Sequence, residues 1–137
     1  MSETRTAMIA ALKRIVIPDL RARGFRGSFP HFRRPKAAQI DLLTFQFDKW
    51  GGGFVIEIAT CPPDGHTHPW GLFVPPNKVT AHDIDFDRRP RLGAPTGGDH
   101  WFRFDDLLPA DEIAFDAVAR QVLPYLDRQA EPFWRQA

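Results

Sequence analysis

Apolar residues recur every three or four positions near the start of the chain, which is the spacing of an amphipathic helix. This pattern predicts a first helix over residues 4–23. Its apolar positions are Met8, Leu12, Ile15, Val16 and Leu20. Gly24 then suits the C-terminal cap of the helix. Pro18 lies inside the pattern and predicts a kink, or a separate last turn, because proline cannot donate the helical hydrogen bond.

The same spacing predicts a second helix near the end of the chain, from about Pro109 to Gln129. Its apolar stripe consists of Phe115, Val118, Val122 and Leu126. Proline at the first helical position needs no N–H partner, and Asp111 and Glu112 suit the positive end of the helix dipole. Pro124 predicts a bend late in this helix.

Between the helices the pattern changes to the alternation of strands. Residues 40–47 are apolar in both phases, so this strand is either buried on both faces or bulged near Leu42. Residues 53–60 alternate, and the link 48–52 carries the glycines that a hairpin turn needs. We therefore predict an antiparallel hairpin that buries one apolar face beneath both helices. The residues of that face are Phe45, Phe47, Phe54, Ile56 and Ile58.

Three further segments complete the predicted sheet. Residues 27–34 are interrupted by Pro30, which predicts an edge position. Residues 83–87 predict a strand with Ile84 and Phe86 inward and three aspartates outward, and residues 100–104 predict another. Residues 61–81 contain many of the 13 prolines and predict a loop. The order α-β-β-β-loop-β-β-α predicts one α+β domain over residues 1–137, with the N- and C-terminal helices packed on one face of a mainly antiparallel sheet.

Charge is distributed unevenly along the chain, although the net charge is only +1. Residues 1–50 hold 10 Lys and Arg against 4 Asp and Glu, and residues 51–137 hold 8 against 13. This predicts mutual neutralisation within the fold at least as well as binding of a polyanion. The single cysteine, Cys61, excludes an internal disulfide and a multi-cysteine zinc site. The first 20 residues lack the apolar core of a signal peptide, and no stretch is long and apolar enough for a membrane span, so we predict a cytoplasmic protein.

Metal binding is the first chemistry that the polar residues suggest. The spacing Asp83-x-Asp85-x-Asp87 matches the opening of a calcium-binding EF-hand loop, but Arg88 and Ala94 occupy the positions of its glycine and closing glutamate. Histidines and carboxylates around the proline-rich loop could hold zinc or iron, but their spacing matches no ligand motif. These residues are His66, His68, His82, Asp64, Asp83 and Asp99. We predict no metal and no cofactor.

A basic segment with interleaved aromatic residues raises the alternative of nucleic-acid binding. Its cations are Arg21, Arg23, Arg26, Arg33, Arg34 and Lys36. Cations beside stacking aromatics are what single-stranded nucleic acid requires, yet the aromatics can equally anchor the segment to the core. The glycine runs 51–53 and 97–98 precede strands rather than helices, so they predict turns and not phosphate loops. No Ser, Cys or Lys lies in a nucleophile motif.

Several short motifs occur in the order of a known family. They are "GFRGSFPHFRR", "IDLLTFQFDKWGGGFVIEIA", "RRPRLG" and "GDHWF". In this combination the chain resembles a bacterial family defined only as a domain of unknown function, number 4304 in that series. The resemblance implies an N-terminal helix with an internal proline, a hairpin, an Arg-Leu-Gly element and a closing helix. It implies no activity, and it directs attention to Trp50, Arg91, Asp99 and Trp101.

The function that these features favour is a small cytoplasmic module that binds another protein without catalysis, as an immunity-like or accessory protein would. The predicted binding residues are Trp50, Arg91, Asp99, His100 and Trp101. Two alternatives stay open: a nucleic-acid binder that uses the basic segment 21–36, and an enzyme with a site near Arg91, Asp99 and His100. Arg91 is expected to reach Asp99 across the intervening loop.

Overall fold

The computed structural model of the chain describes residues 3–94 and 97–136, which form an α+β fold as predicted. Its helices and strands are α1 Glu3–Ala22, β1 Arg26–Ser28, β2 His31–Pro35, β3 Ile40–Phe47, β4 Gly53–Cys61, β5 His66–Thr67, β6 Phe73–Val74, β7 Phe102–Arg103, α2 Glu112–Arg120, α3 Val122–Tyr125 and α4 Glu131–Gln136. A π-helical segment, Leu126–Ala130, joins α3 to α4. No helix among the described residues has the length and apolar character needed to cross a membrane.

Helix α1 confirms the first predicted helix and ends as its sequence indicates. Gly24 has a φ of 98°, and its N–H donates to the carbonyl of Arg21 at 3.0 Å. The N–H of Phe25 donates to Leu20 O at 3.0 Å, which completes the two-bond cap that a left-handed glycine allows. Pro18 lies within an uninterrupted helix, so the alternative of a separate last turn is wrong.

The main sheet has the order β1-β2-β3-β4-β7, and every neighbouring pair is antiparallel. The predicted hairpin is β3–β4, with an unbroken register from Ile40 opposite Cys61 to Phe47 opposite Phe54. The alternative of a bulge near Leu42 is therefore wrong, and β3 is buried on both faces over most of its length. The segment around Pro30 forms two strands rather than one, with β1 at the sheet edge.

One face of the sheet carries the larger hydrophobic core, and both helical regions pack there as predicted. The five predicted residues of the hairpin belong to this core, with Phe47 only half-buried. Helices α1 and α2 also contact each other, which closes the core on the side away from the sheet. Apolar burial on this scale is the main driving force for such a fold.

The opposite face of the sheet is covered by Val79, Ala81 and Ile84, and in this region the sequence prediction is wrong. Residues 83–87 form no strand; two 3-10 turns, Ala81–Asp83 and Phe86–Arg88, replace it. The N–H of Thr80 donates to the Asp83 carboxylate at 2.8 Å, and Arg89 donates to His82 O at 2.9 Å. These local side-chain bonds to the backbone favour turns over an extended ladder. Ile84 is buried as expected, but Phe86 is exposed rather than inward, and Asp83 is half-buried rather than outward.

Three boundaries also differ from prediction. Residues 61–81 contain a two-stranded ribbon, β5–β6, so they are not only a loop. The last helical run begins at Glu112 rather than Pro109, because the Asp111 carboxylate accepts from Ala114 N and caps it. The run continues past Gln129 through Gln136. Four strands therefore follow the first helix, and the ribbon, the two turns, β7 and the last helical run come after them. The predicted order had three strands, a loop and two further strands between the helices.

Candidate functional site

A row of polar side chains crosses the sheet on the face away from the helices. Its members are opposite one another in register: His31 faces Thr44, Thr44 faces Glu57, and Glu57 forms an isolated antiparallel bridge with Arg91. Directly opposite residues of antiparallel strands place their side chains on the same face. The His31 Nδ1 and Thr44 Oγ1 atoms are 3.0 Å apart. The isolated bridge therefore adds Arg91 to the sheet beside β4.

Glu57 is the buried centre of this row. Its Oε2 lies 3.2 Å from Arg91 Nε and 3.5 Å from Arg89 Nε, and its Oε1 lies 3.2 Å from His82 Nε2. The last contact has an ion-pair distance without hydrogen-bond alignment, which leaves Oε1 with no hydrogen bond among the described residues. Burial acts to raise the pKa of Glu57, but His82 and the two guanidinium groups outweigh it and the pKa is lowered. A carboxylate held ionised by two arginines anchors the structure and is a poor proton acceptor.

Arg91 also makes the contact with Asp99 that the sequence predicted. Its Nη1 lies 3.2 Å from Asp99 Oδ1, and the Asp99 side chain is 59% exposed. The guanidinium carbon of Arg91 lies 5.9 Å from the ring centroid of Trp101, and that of Arg103 lies 5.6 Å from it. Trp101 is thus half-buried beside two cations. The deeper partner of Arg91 is Glu57, which the sequence did not identify.

The Arg-Leu-Gly element is locked against the last helical run. Gln129 accepts from Gly93 N at 2.6 Å through Oε1 and donates to Arg91 O at 3.1 Å through Nε2. His100 packs edge-on against Phe102, with centroids 4.8 Å apart, and against Tyr125 at 5.4 Å. Gly93 has a φ of 95°, and a Cβ added there would overlap the His100 ring. The structure therefore brings Arg91, Asp99, His100 and Trp101 into one corner.

We expect Gly93→Ala to lower the free energy of unfolding by about 2–3 kcal/mol, from left-handed backbone strain plus the overlap with His100. Gly71→Ala is the matched control, because Gly71 has a similar φ of 96° but no atom near the added Cβ. That control carries only the backbone cost of about 1–2 kcal/mol. Urea unfolding of both variants is the measurement, and equal losses would show that the His100 ring does not constrain residue 93.

Trp50 does not join this corner. It lies in the β3–β4 turn with its side chain 88% exposed, and the Lys49 ammonium lies 5.4 Å from its ring centroid. The N–H of Trp50 donates to Asp48 Oδ1 at 3.1 Å, which orders the turn but not the indole. Trp50 is therefore an exposed aromatic side chain rather than a core anchor.

A shallow groove adjoins the corner, with a volume of about 360 Å³. It is lined by Pro90, Tyr125, Arg128, Gln129, Pro132, Phe133 and Gln136. Arg91, Asp99 and His100 do not line it, so the groove does not gather the three residues proposed for an enzyme. Elsewhere, burial raises the pKa of Cys61 to about 11, with Asp83 acting in the same direction. A thiol that stays protonated is a poor nucleophile.

Metal ligands are not assembled in the part of the chain that the structure describes. Residues 3–94 and 97–136 contain no group of three or more His, Cys, Asp or Glu side chains arranged to hold an ion. His68 Nε2 instead lies 3.1 Å from Asp83 Oδ1, and its ring stacks on Trp70 at 4.4 Å. The predicted histidine set thus joins the ribbon to the turn at residues 81–83.

Most of the basic segment 21–36 is engaged within the fold. Arg23 pairs with Asp19, Asp127 and Glu131 at 2.7–3.1 Å, and Arg34 pairs with Asp41 and Glu131 at 2.8 Å each. The other engaged cations and their acceptors are Lys36 with Asp41, Arg33 with Val79 O, and Arg21 with Gly27 O. Arg26 is exposed. The aromatic residues Phe25 and Phe32 are buried in the core and present no stacking surface.

The ionised cluster predicts a pH dependence of stability in two stages. Burial, with positive charge at His82 and Arg33, lowers the pKa of His31 below its ordinary 6.5. As the pH decreases, the unfolded chain therefore binds this proton before the folded chain does, and stability decreases once the pH is lower than about 6.5. Burial acts to raise the pKa of Glu57 and Glu131, but the cations paired with these carboxylates outweigh it. Both pKa values therefore lie below the ordinary 4.5. Their contribution is therefore present above pH 4.5 and is lost as pH falls through the lowered values.

Urea midpoints measured from neutral pH downward test this order. His31→Gln is expected to flatten the stage between pH 6.5 and 4.5 while the acid stage remains. An unchanged upper stage in that variant would contradict the role given to His31.

The β5–β6 ribbon presents the surface that the sequence analysis missed. Trp70, Leu72 and Phe73 are 73%, 55% and 54% exposed, although they are large and apolar. Phe73 lines a cavity of about 400 Å³ together with Ile84 and Arg88. The clue in the sequence is "HPWGLFVPP", in which apolar residues stand between prolines and glycine without the spacing of a core element.

Comparison with known proteins identifies the chain at the level of its family. Searches of curated proteins and of solved structures found no significant match. A family model described as "Domain of unknown function (DUF4304)" matches residues 16–136. That match covers α1 from its fourth turn onward, the whole sheet, and the Arg91–Gly93 and Asp99–Trp101 segments. The chain therefore belongs to the DUF4304 family.

Proposed function

We propose that this protein is a non-catalytic binding module whose partner is another protein. The observation that carries the proposal is the ribbon surface, defined as the exposed side chains of Trp70, Leu72 and Phe73. Three large apolar side chains are exposed within four residues, and exposed apolar patches on soluble domains mark interaction sites. Aromatic residues of this kind supply much of the energy of protein interfaces.

The exposed aromatic on the neighbouring turn supports the same surface. Phe86 lies two residues from both Ile84 and Arg88, which line the cavity beside Phe73. A partner side chain can enter that cavity while its surroundings cover Trp70 and Leu72. The His68–Asp83 contact and the His68–Trp70 stack hold the ribbon in place before the partner arrives.

The electrostatic clusters support binding rather than catalysis or nucleic-acid recognition. Glu57 is neutralised by Arg89 and Arg91, and most cations of the 21–36 segment have acceptors within the chain. Phosphate groups would have to compete with these pairs, which weakens the nucleic-acid alternative. Among the residues predicted from the sequence, Trp50 and Asp99 are exposed but lie outside the ribbon surface, while Arg91 and His100 support the corner from inside.

A cytoplasmic location is part of the proposal. Cys61 is a buried free thiol, which suits a reducing compartment.

The test is affinity capture from lysate with the wild-type chain and three variants. Trp70→Ser and Phe73→Ser are expected to lose the captured protein, because each removes an exposed apolar contact. Trp50→Ser is the matched control, since it makes the same change at a more exposed tryptophan outside the ribbon. Capture must survive nuclease treatment, and the purified pair is then titrated by calorimetry. Loss with Trp50→Ser but not with Trp70→Ser, or loss after nuclease, would contradict the proposal.

A further inference from the structure

The groove beside the last helical run is a second surface, separate from the ribbon. Its walls are apolar and half-buried, formed by Pro90, Tyr125, Pro132 and Phe133. It adjoins the π-helical segment Leu126–Ala130. π-helical turns are uncommon and occur frequently at functional sites.

The groove is held open by the Arg-Leu-Gly element. Gln129 binds both the N–H of Gly93 and the carbonyl of Arg91, and Tyr125 packs on His100. These contacts fix the spacing between Pro90 and the helical run without filling the space between them. The groove is therefore preformed, which lowers the cost of docking a ligand.

The charge of the groove favours an acidic ligand. Arg128 lines it, and no Asp or Glu side chain among the described residues does. Asp127 and Glu131, on the same helical run, are bound by Arg23 and Arg34 instead. Arg128 is exposed and makes no ion pair within residues 3–94 and 97–136. A ligand with an apolar side chain flanked by carboxylates would pack against the apolar walls and pair with the Arg128 guanidinium.

The chain itself carries such a segment between β7 and α2. Leu108 is 97% exposed there, the highest exposure of any large apolar side chain within residues 3–94 and 97–136. The loop 105–113 holds four exposed carboxylates and no Lys or Arg, at Asp105, Asp106, Asp111 and Glu112. Asp111 caps α2, Glu112 lies 4.0 Å from Arg14, and Asp105 lines a hollow together with Arg5 and Lys49. Asp106, two residues before Leu108, is exposed.

The loop cannot reach the groove of its own chain. It immediately precedes α2, whereas the groove begins at Tyr125, 13 residues further along one helical run. At 1.5 Å of rise per residue, the two surfaces are about 20 Å apart along the helix axis. Only another molecule can bring them together.

We propose that two copies of this chain associate head to tail, with Leu108 of one copy docked between Tyr125 and Phe133 of the other. Asp106 of the first copy then faces Arg128 of the second. This contact joins different surfaces of two identical chains, so it propagates to a ring or a short linear assembly at high concentration. The ribbon surface takes no part in it.

Sedimentation velocity over a concentration series tests the proposal with the full chain. We expect concentration-dependent self-association that weakens as salt is added. Leu108→Ser and Arg128→Glu, both at exposed positions, are each expected to weaken it by about tenfold or more. Leu72→Ser, an equally apolar change on the ribbon, is expected to leave it unaltered.

Mixing the two damaged variants gives the decisive result. The Arg128→Glu chain keeps an intact loop, and the Leu108→Ser chain keeps an intact groove. A head-to-tail contact therefore predicts that the mixture forms a 1:1 dimer that neither variant forms alone. A monomeric wild type, single variants that associate as before, or a mixture that stays monomeric would each overturn the proposal.

Discussion

Replacing Trp134 by alanine is expected to lower the free energy of unfolding by about 3–5 kcal/mol, the range for a fully buried large aromatic. Trp134 is only 1% exposed, and its ring centroid lies 5.0 Å from that of Phe25. Its indole N–H donates to Ala59 O at 3.1 Å, which ties α4 to strand β4. The guanidinium of Arg34 lies 5.0 Å from the same ring, so the change also exposes the Arg34–Glu131 pair.

Trp50→Ala is the matched control for this prediction. The same atoms are removed from a side chain that is 88% exposed, so the loss should stay within about 0.5 kcal/mol. Urea unfolding followed by circular dichroism measures both variants without relying on tryptophan emission. Equal losses would show that α4 does not contribute to the core.

Replacing Glu57 by glutamine is expected to lower the free energy of unfolding by about 3 kcal/mol, because two arginines lose their buried counter-charge. Arg89 and Arg91 are 20% and 14% exposed, so solvent cannot fully replace the carboxylate. Asp99→Asn removes the other carboxylate of Arg91 at a position that is 59% exposed. It should cost less than about 1 kcal/mol, as exposed ion pairs do.

The ratio of the two losses is the informative quantity. Urea unfolding at neutral pH gives both values in one buffer. If Asp99→Asn were as damaging as Glu57→Gln, the anchor of Arg91 would be the surface pair that the sequence suggested and not the buried one.

The parts of the fold that could be predicted from sequence are those in which local pattern and tertiary burial agree. Helix α1 and the β3–β4 hairpin have a clear period and the expected turn or cap residues. Residues 83–87 show the limit of this reasoning. Their alternation suggests a strand, but the Asp83 cap and the Arg89 bonds to backbone carbonyls stabilise turns, and neither can be recognised from spacing alone.

The end of the last helical run was missed for a related reason. Pro132 suggests a stop, yet proline is tolerated at the start of a helical turn, and the preceding segment is π-helical. The burial of Trp134 against β4 stabilises the extension. A long-range contact of this kind leaves no periodic trace in the local sequence.

The candidate site was recovered in outline only. Arg91, Asp99, His100 and Trp101 do converge, as the motifs suggested, but the sequence did not identify Glu57 as a member of the site. An acidic residue in an alternating strand normally faces solvent, and its burial depends on two arginines that are more than 30 positions away in sequence. The ribbon surface was hidden because the sequence "HPWGLFVPP" has loop composition, and exposure is a property of the assembled fold.

The indole N–H resonances of the four tryptophans test the proposed function most directly. Each can be assigned by substitution, and the four sites sample the ribbon, the β3–β4 turn, the Arg91 corner and the core. On titration with the captured partner, the account predicts that the Trp70 resonance shifts or broadens while the Trp134 resonance does not. A shift confined to Trp50 or Trp101, with Trp70 unchanged at saturation, would contradict it.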